Sequence, residues 1–136
     1  MFEIIVEQTI SAAHRLVIRT ASGALATDEP NAPAQRIHGH NWRIRAALTA
    51  RRLDRNGMVY DFGLAEDALA AILAPFRHRD LAALPPFAEI NPTAEVLAQH
   101  VTSELSRVLR DPEGRGLRVA WVEVSETPTC RARYTP

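Results

Sequence analysis

Three of the five histidines in this 136-residue chain, His14, His38 and His40, occupy strand faces that otherwise carry Ile, Leu, Ala and Trp. An unpaired imidazole on an apolar strand face carries a desolvation cost, so each ring needs a partner. In an extended strand, residues i and i+2 project to the same side, so His38-Gly39-His40 aims two ring nitrogens at one point, and the glycine keeps the intervening position small. His14, from a neighbouring strand, supplies a third nitrogen. Three neutral imidazoles with an open fourth position match a catalytic zinc site. A structural zinc site is normally closed by four protein ligands, often cysteines, and this chain has a single cysteine, Cys130. The competing reading of the same residues is a set of hydrogen-bonded core or surface histidines, because His-x-His alone is a weak signal.

Other reactive side chains are scattered. Glu126 ends an apolar row formed by Ala120, Val122 and Val124, where a carboxylate could accept paired N–H donors from a flat, guanidine-like heterocycle. A solvated glutamate at a strand end is the alternative. His78, in Phe76-Arg77-His78-Arg79-Asp80, titrates near working pH and suits an acid–base role, against the plainer reading of a loop histidine beside two arginines. His100 falls on or beside an apolar helical stripe and reads as structural or interfacial. Cys130 reads as an inert packed thiol.

The elements that must position these groups follow from periodicity. Phe2, Ile4, Val6, Ile10, Ala12, His14, Leu16 and Ile18 all fall on even positions and predict a first strand. Residues 20 to 37, with Gly23, Pro30, Asn31 and Pro33, predict a long loop. The even positions His38, His40, Trp42, Ile44, Ala46 and Leu48 predict a second strand, and residues 53 to 57 a turn, with Met58-Val59-Tyr60 extended after it. Asp61 is placed to cap a helix of about three turns carrying Leu64, Ala68, Leu69 and Ile72, ended by Pro75. A second helix starts with Asn91 as cap and Pro92 at its first position and carries Val96, Leu97, Val101, Leu105, Val108 and Leu109. Two strands close the chain, Leu117 to Glu126 and Arg131 to Tyr134. The expected fold is one α+β domain over residues 1–136, an antiparallel sheet backed by two helices in the order ββααββ.

Composition excludes several classes. Sixteen positive and sixteen negative side chains balance, which gives no electrostatic reason to expect nucleic acid or an anionic membrane as partner. All sixteen cations are arginine, so lysine Schiff-base chemistry and a Walker-type phosphate lysine are ruled out. One cysteine cannot form an intramolecular disulfide, no apolar run approaches the roughly 20 residues of a membrane span, and Met1-Phe2-Glu3 lacks a basic signal-peptide start. A cytoplasmic protein is expected.

Taken in order, five motifs resemble a known family: Ser11-Ala-Ala-His14-Arg-Leu16; His38-Gly-His40-Asn41-Trp42; Gly57-Met-Val-Tyr-Asp61-Phe62; Asn91-Pro-Thr93-Ala-Glu95-Val96; and Val124-Ser-Glu126-Thr127 followed by Tyr134. This pattern resembles the 6-pyruvoyltetrahydropterin synthase and 6-carboxytetrahydropterin synthase family over nearly the whole chain. The resemblance implies the tunnelling fold (T-fold), with trimers whose sheets form a barrel, commonly paired into hexamers with active sites between subunits. It implies a Zn2+ ion on His14, His38 and His40, Glu126 as the anchor of a pterin ring, Thr93 near that pocket, and His78 as the acid–base group. It also implies lyase chemistry on 7,8-dihydroneopterin triphosphate.

The sequence departs from that pattern at two points. The family's proton-abstracting cysteine lies a few residues before His-x-His, where this chain reads Asn31-Ala32-Pro33-Ala34-Gln35-Arg36-Ile37. Some relatives use a glutamate in that region, and the nearest acids here are Asp28 and Glu29. The family's Leu-Asp-His segment reads Phe76-Arg77-His78, so the histidine stays while its carboxylate neighbour is an arginine. Asp80 substitutes for it only if the loop folds back. A zinc- and pterin-binding paralogue without the lyase activity is therefore the second expectation. Open sheet edges predict self-association in either case.

Overall fold

A computed structural model describes residues 1–26 and 33–136. Asp28 and Glu29 lie outside the described residues. Four strands form one antiparallel sheet in the order β1-β2-β3-β4, with β1 Phe2–His14, β2 His38–Ala50, β3 Arg118–Ser125 and β4 Arg131–Tyr134. Two helices, α1 Phe62–Leu73 and α2 Ala94–Val108, stand between β2 and β3 in the chain. Their apolar sides meet one face of the sheet, α1 against β1 and α2 against β3 and β4.

The alternation expected of β1 holds to His14, the last residue paired with β2, and then stops, with Leu16 N–H turned to the Ala34 carbonyl. Leu16 is half-buried and Ile18 exposed, so the expected strand is longer than the real one. In β2 the even residues Trp42, Ile44, Ala46, Leu48 and Ala50 are all buried, with Ala47 and Thr49 on the opposite face buried as well. The pairing of β2 with β3 shifts register between Ala47 and Leu48, which face Trp121 and Val119. Ala120 is thus the extra residue of a bulge, so Val119 takes the core position expected of Ala120, while Val122 and Val124 are in the core as expected. Residues 58 to 60 are a bend rather than an extended run.

The Asp61 cap is as expected, its side chain accepting from Leu64 N–H at 3.0 Å. The buried face of α1 is Ala65, Leu69 and Leu73; Leu64, expected in the stripe, faces solvent. α2 starts two residues later than expected. Its cap is Thr93, whose hydroxyl accepts from Val96 N–H at 3.3 Å, and Asn91 works elsewhere. Leu97, Val101 and Leu105 are buried in the core, while Val108 is exposed.

The outer edge of β1 is partly covered. His78 N–H donates to Ser11 O at 2.6 Å, Ala13 N–H to Arg79 O at 2.9 Å, and Arg77 reaches Thr9 O at 3.2 Å. His78 takes φ 57° to make this turn, a left-handed conformation unusual for a residue with a side chain.

Candidate metal centre

Register alone brings the three histidines together. His14 pairs with His38 across the β1–β2 ladder and Ala12 with His40, so all three rings hang from adjacent rungs on the helix-covered face. One ligand nitrogen from each lies within 4.8 Å of the others. Trp42 forms the floor, its ring centroid 4.8 Å from His14 and 5.3 Å from His40, and its indole N–H is fixed on Ala12 O at 3.1 Å. Gly39 is not needed for space, since an added Cβ would meet only Ala12 O at an ordinary 3.8 Å.

Hydrogen bonds decide which nitrogens face inward. His14 Nδ1 lies 2.8 Å from Pro92 O and His38 Nδ1 lies 2.7 Å from Arg36 O. A carbonyl oxygen only accepts, so each Nδ1 carries the proton and each neutral ring presents a bare Nε2. Those two Nε2 atoms are 3.0 Å apart, and the Nε2 of His40 is buried with no hydrogen-bond partner. Acceptors so crowded repel one another unless they share a cation. The donor set is therefore one that could hold a metal ion, and main-chain carbonyls orient two of its three rings.

Electrostatics favour a neutral His40. Burial holds the His40 pKa below its ordinary value; the Glu126 carboxylate pulls it up, and His14 and His38 push it further down. Glu126 Oε1 lies 4.0 Å from His14 Nε2, which brings the expected ring anchor to the rim of the triad. Its main chain is held by a bond from Glu126 N–H to Cys130 O at 3.1 Å.

The remaining expected site residues fall as follows. His78 is exposed and lines a cavity of about 480 Å³ with His40, Asn41 and Asp80. Arg77 turns away from His78 toward Thr9 O and the Gln8 amide, and Asp80 Oδ1 accepts from Ala82 N–H at 3.0 Å. The loop folds back onto β1, yet it brings His78 no hydrogen-bonded carboxylate among the described residues. Thr93 spends one of its two oxygen lone pairs on the α2 cap and keeps its O–H to donate. Cys130 is exposed in the β3–β4 turn, not packed, because that tight turn leaves its side chain outside the sheet.

Sequence reasoning missed the supports of the triad. The Asn91 side-chain amide accepts from Val17 N–H at 2.8 Å and donates to Val17 O at 2.9 Å, pinning the chain after β1 beside Pro92. Pro92 and Arg36 act through main-chain oxygens, which any residue carries, so no sequence signal marks them.

Comparison with known proteins places this geometry. Residues 3–136 match the family model described as 6-pyruvoyl tetrahydropterin synthase. The 6-carboxy-5,6,7,8-tetrahydropterin synthase of Rickettsia felis is 28% identical over 113 residues, 71% of this chain and 80% of the relative. The enzyme of the same name from Helicobacter pylori is 38% identical over 45 residues, 33% of this chain and 22% of the relative. The structure of Caenorhabditis elegans 6-pyruvoyl tetrahydropterin synthase superposes with a TM-score of 0.81 at 24% identity, covering 99% of this chain and 95% of that one. The Plasmodium vivax 6-pyruvoyl tetrahydropterin synthase gives 0.69 at 16% identity, covering 98% and 96%. With its ββααββ sheet-and-helix architecture and a match spanning all but its first two residues, the chain belongs to the 6-pyruvoyl tetrahydropterin synthase family.

Proposed function

We propose that this protein is a zinc-dependent lyase of the cytoplasm acting on 7,8-dihydroneopterin triphosphate or a related pterin. His14, His38 and His40 hold the zinc ion, which when bound polarises oxygens of the substrate side chain. The observation that carries this reading is the convergence of three Nε2 atoms, two with their tautomer fixed by Pro92 O and Arg36 O and the third buried without a partner. Glu126, beside His14, accepts the paired N–H groups of the pterin ring, and Thr93 donates its O–H to the bound ring. His78 moves a proton from the open cavity it shares with His40. Copies of the chain join through sheet edges into a trimer or hexamer.

The surroundings of His78 favour a second reading. Arg77 stands where the family pattern has a carboxylate, and Asp80 is engaged in capping Ala82 N–H. A protein that binds zinc and a pterin without performing the elimination fits those contacts. Both readings are tested by incubating the zinc-loaded protein and its His38→Ala variant with 7,8-dihydroneopterin triphosphate, following products and pterin binding. The lyase reading expects a tetrahydropterin product from the wild type and background from the variant. Background turnover from both, with a pterin still bound by the wild type, selects the second reading.

A further inference from the structure

The face of the sheet away from the helices carries a row of side chains that the metal centre does not use. Register aligns Thr9, Arg43, Ser125 and Arg131 across all four strands, and Glu7, Arg45, Glu123 and Arg133 in the next row. In the second row the buried Glu123 carboxylate takes Arg45 at 2.5 Å and Arg133 at 2.9 Å, and Arg133 also lies over the Trp121 ring at 4.0 Å. Glu7 reaches diagonally to Arg43 at 2.8 Å. Arg131 is exposed and has no ion-pair partner among the described residues. Four guanidinium groups thus stand against two carboxylates, and the excess positive charge lies on the first row.

That row opens into a cavity of about 270 Å³ between Arg43 and Arg131, lined also by Thr9, Ser125 and Thr127 and by the Arg45–Glu123 pair, whose carboxylate is already held by Arg45 and Arg133. Guanidinium groups fork onto phosphate oxygens in bidentate fashion, and hydroxyls donate to the remaining oxygens. The volume is below that of a typical drug-sized pocket and suits a compact oxyanion. We propose that Arg43, Arg131, Ser125 and Thr127 form a site for a phosphate-type polyanion, distinct from the histidine centre on the opposite face. The chemistry recognised is that of a di- or triphosphate group, free or as the tail of a small molecule. Glu7 competes with the anion for Arg43.

The test is calorimetric titration of the zinc-loaded protein with inorganic tripolyphosphate at low and at physiological ionic strength. Arg131→Gln and Arg43→Gln are each expected to weaken binding about tenfold, the effect of losing a charge-assisted contact. Glu7→Gln is expected to tighten it, and added salt to weaken it. Arg110→Gln, just beyond the end of α2, should leave it unchanged, and His38→Ala should keep the Arg43- and Arg131-dependent binding. Equal affinity in all the arginine variants would show diffuse charge attraction and overturn the site. Loss of binding in His38→Ala would assign the anion to the metal centre instead, and absence of any binding also sinks the proposal. Titrating methyl phosphate beside tripolyphosphate separates recognition of an ester tail from recognition of the free anion. Because none of these readouts needs turnover, failure here leaves the lyase reading standing, and the converse holds.

Discussion

His14 and His38 face each other across the first rung of the β1–β2 ladder with their Nε2 atoms 3.0 Å apart, while both Nδ1 atoms are held by main-chain oxygens. Two acceptors at that separation need a positive charge between them, a shared proton or a metal ion, and the proposed zinc site makes it the latter. Elemental analysis after zinc-supplemented preparation should find about one metal per chain, and His38→Ala should reduce it to background. Excess zinc should raise the unfolding midpoint of the wild type and leave that of the variant unmoved. A metal-free wild type, with no thermal response, would remove the basis of the assignment.

Asn91 clamps Val17 through two hydrogen bonds and so fixes the approach of the next residue, Pro92, to His14. Asn91→Ala should cost about 1–2 kcal/mol of stability. It should also weaken zinc affinity by roughly tenfold, the lower end of what loss of an outer ligand support produces. Competition with a chromogenic chelator measures the second effect; unchanged zinc affinity beside a loss of stability would make the clamp purely structural.

Burial pushes the Glu123 carboxyl pKa up, but hydrogen bonds from Arg133 and Arg45 and their charges pull it further down, so the net shift is downward. A lowered folded pKa means that the carboxylate's contribution is complete above the ordinary glutamate range, about pH 4.3, and is lost as pH falls through the lower folded value. Glu123→Gln should therefore destabilise by about 2 kcal/mol at pH 7, with the gap to wild type closing under acid. Urea denaturation at pH 7 and pH 3 reads the difference, and a gap independent of pH would contradict the ion-pair account.

His100 packs between Phe76 and Phe87, with ring centroids 5.6 and 5.9 Å away. Its burial holds the pKa below the ordinary value, with Glu104 opposing. The unfolded chain then binds the proton more readily, so this position's contribution is full above about pH 6.5 and is lost as pH falls toward the folded value. His100→Leu should remove that loss and make the variant more stable relative to wild type at pH 5 than at pH 7.5. Parallel pH dependences for the two proteins would refute it.

Much of this was legible because it rests on side-chain period. Even-numbered runs gave β1, β2 and the convergence of His14, His38 and His40, since register across two neighbouring strands follows from which face is buried. What escaped depends on the main chain or on distant contacts. The bulge at Ala120 moves the first core position of β3 to Val119, and no local residue type announces it. Asn91 and Thr93 are both good helix caps, and the clamp on Val17, 74 residues away in sequence, decides between them. Leu64 fits the helical stripe by spacing, but the buried face of α1 runs through Ala65, Leu69 and Leu73 and leaves it in solvent.

The turn through His78 makes the sheet's two borders unlike each other. Between Thr9 and Ala13 the border of β1 is already occupied by the chain's own backbone and by Arg77, while β4 ends the other side with the short run Arg131–Tyr134. On β1, a strand arriving from another molecule finds room along the beginning of the strand, and two identical borders cannot zip together over their full length. Contacts between unlike borders run head to tail, and such contacts close into rings when their rotation allows. Endless stacking, which needs a long uninterrupted template, is denied one.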